Sequence, residues 1–143
     1  MKKIKINKIF SSAMCVFSVL IAVACITVSA SSYTSTLYIG NGSTVTGSTR
    51  YYTAGEHKIS MSIDKWTNYG NIGYSKLLIR LGQDNGTSST SLSTATKKIT
   101  TANISIMSWM GTHSASDKYY VFSTRVDGTT YGGITSNNVT MQS

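Results

Sequence analysis

Ile59, Met61 and Ile63 alternate with Lys58, Ser60, Ser62 and Asp64, and Leu77, Ile79 and Leu81 alternate with Lys76 and Arg80. A period of two sends each apolar set to one face of a β-strand, whereas a helix would scatter these residues round its surface. Leu78 breaks the second alternation, which predicts a strand partly covered on both faces and therefore central in its sheet. The segment between the two runs, residues 65–74, is too long for a two-residue hairpin turn. Its Asn68, Gly70, Asn71 and Gly73 permit positive φ or tight turning.

The same alternation recurs along the rest of the chain. Residues 33–39 place Tyr33, Leu37 and Ile39 on one face. Residues 44–52 read as one strand, with Val45 and Tyr51 on one face and Thr46, Arg50 and Tyr52 on the other. Gly47 inside it marks a bulge or a close approach. Residues 54–57 and 82–86 read as turns. Residues 87–96, rich in Ser and Thr, read as a surface loop or an irregular edge strand, and residues 97–102 as a short strand around Ile99. Residues 103–110 carry Ile104, Ile106 and Met110 on one face and Met107 and Trp109 on the other, with Trp109 expected beneath a sheet. After a turn at 111–117, residues 118–126 set Tyr120, Phe122 and Val126 against Tyr119, Val121 and Arg125. Asp127-Gly128 is a hairpin signal, and residues 134–142 form a last strand kinked at Asn137-Asn138. About eight regularly spaced strands with no amphipathic helix among them predict a single small antiparallel β-sandwich over residues 31–143. Ile59, Ile63, Leu77, Ile79, Ile106 and Phe122 are its expected core.

The sandwich is preceded by a different kind of sequence. Lys2, Lys3, Lys5 and Lys8 lead an apolar stretch from Ala13 to Val28, and Val28-Ser29-Ala30 has small residues at both recognition positions. This three-part pattern predicts a secretory signal peptide over residues 1–30, helical in its apolar part, cleaved before Ser31. The apolar run is short for a membrane anchor of about 20 residues. In style the segment is similar to signals of Gram-positive bacteria. Ala22-Val23-Ala24-Cys25 offers a second route, a lipoprotein anchored through Cys25, although Ala22 stands where such signals usually have Leu.

Cleavage after Ala30 removes both cysteines, Cys15 and Cys25, so the remaining chain has no disulfide, thiol nucleophile or thiolate metal ligand. It also removes four of the 13 basic residues and none of the 5 acidic ones. The remaining Lys and Arg are scattered, so no basic run points to nucleic acid, and only a weak attraction to anionic surfaces is expected.

Catalytic patterns are thin. The Gly-x-Ser-x-Gly elbow is absent, and His57 and His113 both fall in predicted turns, where solvated imidazoles are common. Glu56, Asp84, Asp117 and Asp127 lie at turns, where carboxylates usually cap the backbone. No ligand spacing suggests a metal site at His57 and His113, and Asp84-Asn85-Gly86 lacks the rest of a calcium loop. Neither an enzyme, a cofactor nor a metal is expected. Four Asn-x-Ser/Thr sequons occur, at Asn41, Asn85, Asn103 and Asn138, but in so Ser/Thr-rich a chain about a third of the Asn residues match by chance, and in an exported bacterial protein they carry no meaning.

The aromatic residues are more informative. Trp66, Asn68, Tyr69, Asn71 and Tyr74 share one segment with Lys65. Aromatic faces stack on sugar rings while amides bond hydroxyls, and the same mixture suits a membrane interface. Trp66 or Tyr74 could equally fold back to plug the sandwich. The expected function is that of a secreted, non-catalytic protein binding a cell-surface glycan, wall polymer or protein. A membrane-active antimicrobial or toxin, and an extracellular matrix protein polymerising through sheet edges, are the alternatives.

Overall fold

A computed structural model describes residues 30–40, 43–67, 73–126, 129–130 and 132–143. The predicted signal peptide, apart from Ala30, lies outside the described residues, as do Asn68, Tyr69 and Asn71. The described residues form β-strands and no helix. In chain order these are β1 (Ser32–Ile39), β2 (Thr44–Thr46), β3 (Arg50–Tyr52), β4 (Gly55–Ile63), β5 (Lys65–Thr67) and β6 (Ser75–Asp84). They continue with β7 (Ser89–Ile99), β8 (Ile104–His113), β9 (Ser116–Ser123), β10 (Arg125–Val126), β11 (Thr129–Thr130) and β12 (Gly133–Gln142).

Two antiparallel sheets pack together as a small β-sandwich. The first runs β1-β12-β4-β8 with β5 also on β12, and the second runs β2-β9-β6-β7 with β3 also on β9; β10 and β11 form a separate hairpin. The alternation that defines β4 holds in space: His57, Ile59, Met61 and Ile63 are buried and Glu56, Lys58 and Ser60 exposed. β6 lies between β7 and β9, the central place that Leu78 predicted, and Leu77, Ile79 and Leu81 are fully buried. Leu37, Ile39, Ile99, Met110, Phe122 and Ile134 are among the residues that the other strands add to the core. Of the expected core residues only Ile106 is half-buried, because β8 is an edge strand. The edges β7 and β8 meet across the sandwich, where the Ser93 hydroxyl donates to the Met110 carbonyl at 2.6 Å.

Strand breaks and bulges reset the phase at places where alternation alone misleads. Residues 44–52 are two short strands on β9, separated where Gly47 donates its N–H to the Tyr120 carbonyl at 2.8 Å. The offset brings Tyr52, not Tyr51, to the inner face: Tyr52 is buried and Tyr51 exposed. A bulge of β8 near Gly111, whose φ is +92°, lies opposite Glu56 and Lys58. There β4 begins earlier and β8 ends later than the sequence predicts, so His57 and His113 belong to strands and not to turns. Trp109 is corrected as well. It faces outward from β8, with Met107, and is not beneath a sheet.

Candidate functional site

Three places in the sandwich carry side chains with chemistry to offer. The first is the predicted segment at residues 65–74. Its start is not loop but strand: Lys65, Trp66 and Thr67 pair with Thr135, Ile134 and Gly133 of β12. Because Trp66 lies opposite the buried Ile134, its ring faces the core, where it packs half-buried over the end of the sandwich. The indole N–H donates to the buried Ser75 hydroxyl at 2.8 Å. Tyr74 is half-buried too, with the Lys98 ammonium 4.5 Å from its ring centroid. Trp66 and Tyr74 thus both flank the start of β6, the first turned toward the core and the second under a lysine.

The second place is the opposite end, and there the structure brings together residues far apart in sequence. The rings of His57 and His113 meet edge to face at 5.4 Å, and His57 lies 5.6 Å from Tyr52. Tyr52 in turn touches Tyr33 at 5.1 Å and Tyr120 at 6.1 Å. Lys118 is fully buried beside them, its ammonium donating to the Ser114 carbonyl at 2.6 Å. Carbonyl acceptors set both imidazole tautomers: His57 Nδ1–H donates to Gly55 at 3.1 Å and His113 Nε2–H to Met110 at 2.7 Å. His57 Nε2, the Tyr120 hydroxyl and the Ser116 hydroxyl are buried without a hydrogen-bond partner. Burial lowers the pKa of His57, and the nearby Lys118 and His113 lower it further against the Gly55 bond. Burial likewise lowers Lys118, and it raises Tyr52 to about 12. Two imidazoles converge here, but no group of three metal-ligating side chains exists among the described residues.

The third place is the outer face of the first sheet. Antiparallel register sets Thr140 beside Ser60 and Ser60 beside Met107, with Gln142, Lys58 and Trp109 in the next row. Ser62 and Ser105 pair in the row on the other side. A shallow cleft of about 160 Å³ runs between these rows, lined by Ser60, Ser62, Ser105, Asn138 and Thr140 over Met61 and Ile106. Met107 projects from the Ser60 row and Trp109 from the Lys58 row of the same face, 65% and 62% exposed, and Glu56 pairs with Lys58 at 2.9 Å. Hydroxyls and an amide offer donors and acceptors, the indole offers a flat apolar face, and one ion pair supplies charge.

Sequence reasoning singled out Trp66 and passed over Trp109. The phase of β8 was readable, since Met107 and Trp109 alternate with Ile106 and Met110. Which of the two faces met solvent depended on the pairing of Trp109 with Lys58 and of Met107 with Ser60, and that pairing is a long-range property. Among known proteins, the chain matches no family model, no curated protein and no solved structure.

Proposed function

We propose that this protein is exported and works outside the cell as a non-catalytic binding module, with the outer face of β12, β4 and β8 as its contact surface and a cell-surface or wall glycan as its ligand. The observation that carries the reading is Trp109, held 62% exposed on the same sheet face as a cleft lined by hydroxyls and an amide, one row beyond Ser60. A large apolar ring is costly to leave in water, and here it is presented by a paired strand and not by a loose loop. Rigid aromatic anchors next to convergent polar groups are the recurrent way to bind a ligand that is itself both flat and hydroxylated. Support for export comes from the basic, apolar and small-residue pattern of residues 1–30.

The protein contains two tryptophans, so Trp66→Phe leaves Trp109 as the sole indole reporter. Soluble wall polysaccharide titrated into that variant should shift Trp109 fluorescence in a saturable way. An unshifted signal with every glycan and wall fraction would remove the reading. Leakage of lipid vesicles would replace it with the membrane-active alternative, and growth of fibres with the matrix alternative.

A further inference from the structure

We propose that the cluster of Tyr52, His57, His113 and Lys118 is an acid-sensitive latch: a proton on His57 releases β3 and the turn between β8 and β9, while the Trp66 end of the sandwich stays closed. His57 Nδ1–H is already committed to the Gly55 carbonyl, so an added proton must go to Nε2. That atom is buried and has no hydrogen-bond partner among the described residues, so the proton would create a charged donor with nothing there to bond.

The surroundings are as unsuited to a second positive charge. From β9 comes the buried Lys118, from β8 the His113 ring, and from β3 the Tyr52 ring, with Tyr120 behind it. The carboxylates of the same elements face away. Glu56 is exposed and paired with Lys58, and Asp117 is exposed on the outer side of β9. Arg50 lies over Tyr33, beyond Tyr52. The carboxyl end of the chain, Ser143, packs beside Gly55 with its amide on Ser31 and its hydroxyl on Thr53. A protonated His57 therefore faces one lysine, one imidazole and the Tyr52 ring, with Tyr120 beyond it, and no side-chain carboxylate of the described residues.

The sign follows from linkage. The pKa of His57 is lower folded than unfolded, so the unfolded or opened chain takes up the proton first as pH falls. Stability of this end is full above about pH 6.5, the ordinary imidazole value, and declines below it. What gives way is set by the pairing. β3 holds to β9 through only Arg50, Tyr51 and Tyr52, and the β8–β9 turn is where Lys118 reaches Ser114. Opening there takes Lys118 to water and gives His57 a hydrated partner.

Amide hydrogen exchange on the secreted protein tests this residue by residue. Protection factors in β3 and at the start of β9 should fall as pH drops below about 6.5, by up to about tenfold per pH unit, the slope of one proton. Those of Leu77, Ile79 and Leu81 in β6 should not fall. His57→Phe, which keeps a ring against Tyr52, should abolish the slope. Because that variant could misfold, the imidazole resonances of the unaltered protein provide a second reading: His57 should titrate only together with the loss of protection. Protection that is independent of pH, a loss spread equally through β6, or a slope retained in His57→Phe would each overturn the latch. So would titration of His57 at its ordinary value in a fully protected fold.

Discussion

Gly132 shows how tightly a single residue can be specified. Its φ is +96°, and a Cβ built there would collide with the Thr67 carbonyl and approach the Ser75 hydroxyl. That hydroxyl receives the Trp66 indole N–H, while the Gly132 carbonyl accepts the buried Thr124 hydroxyl at 2.9 Å. Gly132→Ala therefore combines backbone strain with a displaced Ser75, and should cost about 3 kcal/mol in urea unfolding, with a changed Trp66 emission. A melting curve like that of the unaltered protein would contradict the close approach. Tyr52 and Tyr120 make a second case. Burial raises both phenols, Tyr52 to about 12, so the unfolded chain ionises first as pH rises above about 10. Stability should be lost through that window, and in an ultraviolet titration Tyr52 and Tyr120 should ionise together with unfolding. Ionisation of Tyr52 and Tyr120 near pH 10 with the fold intact would refute their burial.

At the scale of the strand, alternation was legible and its interruptions were only half so. β4 and β6 could be read residue by residue because each has one uninterrupted buried phase over the run that was read. Asn137 and Asn138 announced a kink, and the structure gives its mechanism. Both are exposed, and the buried set passes from Ile134 and Ser136 to Val139 and Met141 across them. Asp64 holds this irregularity in place: its N–H donates to the Thr135 carbonyl, and its carboxylate accepts the Asn137 N–H at 2.6 Å and the Ser62 hydroxyl at 2.8 Å. Asp64→Ala should lower stability by about 1 kcal/mol, through loss of the hydrogen bonds its carboxylate accepts from Asn137 and Ser62. Thr90→Ala, on an exposed part of β7, should change it by no more than about 0.5 kcal/mol. Equal denaturant midpoints for the two variants would show that Asp64 does not organise the bulge. Gly47 also signalled an interruption, but glycine does not say how many residues a bulge inserts, and one residue decided between Tyr51 and Tyr52.

For the whole molecule, two sheets with unlike ends frame the functional reading. One end is covered by Trp66 over Ser75, and the other holds the imidazoles and Lys118. The sandwich was visible in the sequence because strand periodicity and turn residues are local. The candidate site was mostly not. Trp109, Lys58 and Thr140 become neighbours only when β8, β4 and β12 are set side by side, and no local pattern states that order. The convergence of His57 on His113 was hidden for the same reason, together with the two strand ends that ran on into predicted turns. The central claim is that the outer sheet face binds and that Trp109 is its anchor. The direct test is to measure glycan affinity and melting temperature on one preparation of Trp109→Ala, beside Tyr69→Ala. Trp109→Ala should bind about tenfold more weakly, close to 1.4 kcal/mol, at an unchanged melting temperature, with Tyr69→Ala like the unaltered protein. Full affinity in Trp109→Ala together with its loss in Tyr69→Ala would contradict the account and move the site to the segment between β5 and β6.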